Sequence, residues 1–166
     1  ELPYQAKTEN MRFVEAIKKF QLEHVIRVCA DNPLLSPMCI RELIDFYFNN
    51  GQKYSFNHVP KFGIKINDGF GAEMFNASLF LNDYSSFKLD EEFEHVTYRY
   101  AENCTVADFA FKEWMKGDLK LDVDTKEDLS NLEDLLNRTE IPLDRIFEEN
   151  NEEYFLQLKR ELIKLS

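Results

Sequence analysis

Six residues, His24-Val25-Ile26-Arg27-Val28-Cys29, constrain the fold of this chain more than any other stretch. Three are β-branched, and the run is cut off by Asp31-Asn32-Pro33, a strong turn signal. A short apolar run bounded in this way reads as a buried strand. Helix signals lie on both sides of it. Upstream, from about Thr8, Met11, Val14, Ala16, Ile17 and Phe20 fall on one stripe, and Lys18-Lys19 sit near its end. Downstream, Ser36 is an N-cap with Pro37 in the first turn. Ile40, Leu43, Ile44 and Tyr47 then form an inner face, and Asn49-Asn50-Gly51 stops the helix. Tyr54-Ser55-Phe56 reads as a second strand. Helix–strand–helix–strand over residues 9–56 predicts an α/β sheet with parallel strands.

The middle of the chain has another character. Pro60, Gly63, Gly69 and Gly71 fall between Asn57 and Gly71, which predicts a loop or an irregular hairpin. Ala72-Glu73-Met74-Phe75 is a short segment of mixed character. Residues 77–81 and 90–101 read as helical. Leu119-Lys120-Leu121-Asp122-Val123 is a further strand candidate. Thr125-Lys126-Glu127-Asp128 resembles a capping box with Asp in place of Glu, and it opens a helix carrying Leu129, Leu132, Leu135 and Leu136. Residues 142–149 and 151–165 read as closing helices with acids on their outer sides. No repeat and no linker interrupts the chain, so one domain is expected.

Composition narrows the function. A length of 166 residues suffices for one hydrophobic core. The 44% hydrophobic content excludes a disordered chain. Twenty basic residues against 31 acidic ones give a net charge of −11, which argues against a nucleic-acid partner. No apolar run reaches the ~18 residues of a membrane span. Glu1-Leu2-Pro3-Tyr4 lacks the layout of a signal peptide, so a cytoplasmic location is expected. Cys29, Cys39 and Cys104 are odd in number and form no C-x-x-C pair, as expected for reduced thiols. The N-x-S/T triplets at Asn76, Asn103 and Asn137 are therefore not read as glycosylation sites.

Four places could carry chemistry. Asp31 follows an apolar strand, where open α/β sheets bind ligands. It reads either as a ligand for a metal–phosphate group or as a turn residue. Asp124 stands at a second strand end with Thr125 behind it, and reads either as a metal ligand or as part of a helix cap. Two carboxylates at two strand ends suit one hard divalent cation whose other positions are filled by phosphate oxygens. Asp68-Gly69-Phe70-Gly71-Ala72-Glu73 combines two glycines, which allow close backbone approach to a ligand, with a carboxylate. It is not a dinucleotide fingerprint, and a plain turn explains it equally well. Glu94-His95-Val96-Thr97 could bind a metal, hydrogen-bond a substrate, or pair internally.

As a set, these motifs resemble a known family. Val25-Ile26-Arg27-Val28-Cys29-Ala30-Asp31-Asn32-Pro33-Leu34-Leu35 looks like the central strand and metal-binding turn of the CMP-sugar cytidylyltransferases, in particular the spore-coat-polysaccharide type. Gly69-Phe70-Gly71-Ala72-Glu73-Met74-Phe75, Glu94-His95-Val96-Thr97 and Val123-Asp124-Thr125-Lys126-Glu127-Asp128 resemble later motifs of that family, in the same order. The resemblance covers roughly residues 9–137. It implies a Rossmann-like, GT-A-like nucleotidyltransferase sheet with an inserted acceptor-binding and dimerisation arm at about 57–115. It further implies Mg²⁺-dependent transfer of CMP from CTP to a sugar, sugar phosphate or small phosphorylated acceptor, with release of pyrophosphate, in surface polysaccharide or capsule biosynthesis. By the same resemblance Asp31 and Asp124 are the Mg²⁺ ligands. Gly71, Glu73 and His95 lie near the acceptor, Asn57 and Asp128 are further candidates, and the protein is a homodimer.

One part of the family pattern has no counterpart. The family opens with a strand and a basic loop of the type Q-A-R-x-x-S-x-R-L-P-x-K that holds the triphosphate, and Gln5-Ala6-Lys7 only echoes it. The expectation is a partial domain, short of a complete one by roughly 70–80 residues. An alternative is a non-catalytic dimeric interaction module derived from the same fold.

Overall fold

The computed structural model describes residues 8–35, 37–51, 53–57, 67–69, 71–95, 100, 117 and 119–139, with single positions at 157, 160 and 164. The first helix, α1 (Glu9–Phe20), starts where Thr8 caps it: the Thr8 hydroxyl accepts from the Met11 amide at 3.4 Å. It ends at Gln21, whose left-handed backbone (φ 53°) lets its N–H reach the Ile17 carbonyl. Strand β1 (His24–Val28) and helix α2 (Pro37–Asn49) follow, then strand β2 (Tyr54–Phe56). All four elements stand where their sequence signals put them.

Strand β3 (Ala72–Asn76) changes the topology. The sheet order is β1-β3-β2, and β3 runs antiparallel to both neighbours. β1 and β2 do point the same way, but they do not touch, which corrects the expected parallel pairing. Ala72-Glu73-Met74-Phe75 is thus the middle strand. Its register pairs Arg27 with Glu73 on one side and Phe56 with Glu73 on the other. Asn76 ends the strand and caps the next helix, its side-chain oxygen accepting from the Leu79 amide at 2.9 Å. Helix α3 (Ala77–Tyr84) therefore leaves β3 with no loop between them. A short α4 (Asp90–Glu94) and a longer α5 (Lys126–Thr139) complete the described elements. The described part of the expected arm over 57–115 includes β3, α3 and α4; residues 142–149 lie outside the described residues, as do 151–165 apart from 157, 160 and 164.

The two faces of the sheet bury different side chains, as a strand period of two requires. Phe75, Tyr54 and Phe56 face α1 and α3 and join Ile17, Phe80 and Phe87 in an aromatic core. Phe75 and Phe80 stack with centroids 4.9 Å apart, and Phe13 meets both edge-on. Ala72 and Met74 face the other way, onto Leu43 and Tyr47 of α2. The middle strand, buried on both faces, holds the layers together. Among the described residues no helix is long and apolar enough to cross a membrane.

Candidate active site

Three loops meet at the end of β1 where Asp31 stands. The chain turns there, with Asn32 N–H donating to the Cys29 carbonyl and Leu35 N–H to the Asn32 carbonyl, and Leu34 buried beneath. The Asp31 carbonyl accepts from the Val123 amide at 2.8 Å. The second loop, at 67–71, is fastened to the segment after Gly117. Asp68 N–H donates to the Leu119 carbonyl at 2.9 Å, and Leu119 N–H donates to Asn67 Oδ1 at 3.1 Å. Gly69 (φ 93°) lies so close to Leu121 that a Cβ would fall 2.7 Å from its carbonyl carbon. Residues 119–123 are therefore an irregular connector, not the expected strand. Their backbone bonds go to two different loops, and no ladder forms among the described residues.

The junction encloses a cleft of about 180 Å³. β1 and its turn contribute Arg27, Cys29, Asp31 and Asn32; the second loop contributes Asp68, Gly69, Gly71 and Ala72; the connector contributes Asp122. Arg27 of β1 and Cys29 and Asp31 just beyond it all line this cleft. Two of the expected site residues, Asp31 and Gly71, are thus brought together. Asp124 is not among the lining residues. It is exposed and held by Lys120 Nζ at 2.8 Å, while the same ammonium binds Asp122 Oδ2 at 2.9 Å. Besides Asp31 the cleft holds the carboxylates of Asp68 and Asp122, and Asp122 Oδ1 is buried with no hydrogen-bond partner among the described residues.

Glu73, expected beside the acceptor, is fully buried under the cleft. Oε1 accepts from Arg27 Nη1 at 2.8 Å and Oε2 from the Tyr54 hydroxyl at 2.7 Å. Arg27 also makes a side-on pair with Glu9 of α1, Nε to Oε1 at 2.7 Å and Nη2 to Oε2 at 2.9 Å. Glu73 therefore ties β1, β2 and β3 to one another, and through Arg27 to α1. Burial pushes its carboxyl above the ordinary carboxylate range, against the pull of Arg27 and Tyr54. Burial also raises the Cys29 thiol, which Arg27 partly offsets.

The other candidates are dispersed. Asn57 is buried at the end of β2. Its Oδ1 accepts from the Ala72 amide at 2.6 Å and its Nδ2 has no partner. Asp128 completes the capping box, taking bonds from Thr125 N–H at 2.8 Å and the Thr125 hydroxyl at 2.9 Å. Those bonds hold its carboxyl below the usual range. His95 is exposed just past α4 and does not line the cleft. Cys29 and Cys39 form no disulfide among the described residues, and Cys104 lies outside them. A larger depression of about 270 Å³ runs along α5 beside Leu121, Leu132 and Leu135, and holds none of the expected site residues.

Two residues escape the sequence reading. Asp122 carries only a weak signal, a carboxylate two residues before Asp124. Arg27 is a lone charge inside an apolar strand, which is uncommon without a buried partner.

A sheet with helices on both faces and carboxylates gathered beyond a strand end defines an α/β protein with a candidate ligand site outside its sheet. The sequence matches the cytidylyltransferase family over residues 2–160, and the chain belongs to that family. It is 26% identical over 132 residues to the spore coat polysaccharide biosynthesis protein SpsF of Bacillus subtilis (strain 168), a match covering 76% of this chain and 52% of SpsF. The chain thus spans about half the length of that relative. It also superposes on the structure of a cytidylyltransferase from Leptospira borgpetersenii serovar Hardjo-bovis (strain JB197), with a TM-score of 0.75 at 22% identity. That superposition covers 96% of this chain and 63% of the other.

Proposed function

We propose that this chain supplies the metal-and-acceptor part of a cytidylyltransferase that moves CMP from CTP to a small acceptor in surface polysaccharide synthesis. The acceptor is a sugar, a sugar phosphate or another small phosphorylated molecule. An acceptor oxygen attacks the α-phosphorus, a new O–P bond forms, the bond to the β-phosphate bridging oxygen breaks, and pyrophosphate leaves. The observation that carries this reading is the pairing of Asp31 and Asp122 at one cleft beyond the sheet, with a carboxylate oxygen of Asp122 unpartnered inside it.

The residues present fit Mg²⁺. The carboxylates of Asp31, Asp68 and Asp122 are hard oxygen donors at one cleft. This suits an ion that leaves most positions to water and phosphate oxygens. Bound there, the ion would neutralise phosphate charge and orient the α-phosphate. The protein's own part is placement. Asp31 is fixed through its carbonyl bond to Val123, and the 67–71 loop is fixed through Asn67 and Gly69. Arg27, clamped by Glu9 and Glu73, keeps the cleft end of β1 at one height. Asn57 fixes the start of β3 at the cleft, its Oδ1 accepting from the Ala72 amide.

The test is pyrophosphate release by the full-length natural protein with Mg²⁺ and each of CTP, UTP, ATP and GTP, across neutral sugars, acidic sugars and sugar phosphates. Release with CTP and one acceptor class supports the reading. Absence of release with CTP across the whole panel overturns it and favours a non-catalytic module.

A further inference from the structure

Lys120 sits where a cation belongs. Its ammonium lies 2.9 Å from Asp122, 2.8 Å from Asp124 and 3.8 Å from Asp128. It therefore spans the carboxylate that faces the cleft and the one that does not. Asp122 uses only Oδ2 on Lys120 and keeps Oδ1 buried and unpartnered. One oxygen of this carboxylate is already committed to a monovalent charge, while the other is desolvated without return, a cost that an incoming cation would remove.

We propose that Lys120 is a resident counter-ion that a divalent cation must expel from Asp122 and Asp124, so that it sets the cation affinity of the cleft. The proposal rests on the reading of Asp31 and Asp122 as cation-holding residues. It also accounts for the outward position of Asp124: that carboxylate is turned toward Lys120, and it becomes available once the ammonium leaves. Lys120 is half exposed on the irregular connector, so it can swing away without disturbing either core cluster. The freed ammonium then stands beside the cleft as a donor for phosphate oxygens, so cation binding is expected to precede tight nucleotide binding.

The experiment is a Mn²⁺ titration of the full-length natural protein followed by the electron paramagnetic resonance signal of free Mn²⁺, without nucleotide. Lys120→Met is expected to bind Mn²⁺ about tenfold more tightly than wild type, the scale set by removing one charge a few ångströms from a divalent ion in a screened, solvated site. Lys120→Arg, which keeps the charge, is expected to bind as wild type does. Asp122→Asn in the Lys120→Met background is expected to erase the gain. A Lys120→Met protein that binds no more tightly than wild type, or shows no binding, overturns the proposal. Asp31→Asn separates the two levels: tight binding that survives this change refutes the cation site itself, and with it the role given to Lys120.

Discussion

Replacing Arg27 by Met tests the buried network under the cleft. Arg27 is 11% exposed and Glu73 is not exposed at all, so solvent cannot take over when the guanidinium is removed. Glu73 would keep only the Tyr54 hydroxyl, whereas Glu9, one-quarter exposed, would regain water. Breaking one side of a buried pair costs about 3–5 kcal/mol. For a chain of 166 residues, that corresponds to a fall in Tm of roughly 10 °C. The loss has a definite pH dependence. Burial raises the Glu73 carboxyl in the folded state, and losing Arg27 raises it further. Such a carboxyl favours the fold when protonated. That contribution is complete below the unfolded value of about 4.5 and disappears as pH rises through the folded one. Arg27→Met is therefore expected to lie closest to wild type at pH 5 and furthest from it at pH 8, by thermal melting followed with circular dichroism. Arg27→Met with Glu73→Gln is expected to recover much of the loss at pH 8. A single variant within about 1 kcal/mol of wild type at pH 8, or equally weakened at both pH values, would refute the reasoning.

Two further substitutions address the walls of the cleft. Gly69→Ala places a Cβ against the Leu121 backbone at a φ of 93°, and is expected to cost about 2–3 kcal/mol in urea unfolding, because neither strain has room to relax. Thr125→Ala removes the cap that Thr125 and Asp128 build at the start of α5, and is expected to cost about 1 kcal/mol in the same assay. An unchanged midpoint in either case would contradict the corresponding contact.

Elements with local signals were legible in the sequence. Thr8, the β-branched run at 24–28, Pro37 and the Thr125–Asp128 box each stand at the boundary their chemistry predicts. Strand β3 was obscure for a physical reason. Buried on both faces, Ala-Glu-Met-Phe-Asn has no alternation to announce it, and its one charge is neutralised by Arg27 from another strand. Alternating helices and strands fixed the directions of β1 and β2, but not the insertion of an antiparallel strand between them. Asp31 was legible because it directly follows a strong strand. Capping chemistry draws attention to Asp124, the residue next to Thr125, and only the path of the connector past Asp31 shows that Asp122 lines the cleft. The role of Glu73 depends on its register with Arg27, which no local pattern reveals.

The most direct test of the central claim is CTP-dependent, Mg²⁺-dependent pyrophosphate release by the full-length natural protein and its Asp31→Asn variant, with the melting temperature measured on both. Among the described residues the Asp31 carboxylate accepts no hydrogen bond from either core, so the variant is expected to melt with wild type and to lose release by at least about a hundredfold, the scale of removing a charged group that acts in the transition state. Release retained by a folded Asp31→Asn protein would contradict the placement of the chemistry at this cleft.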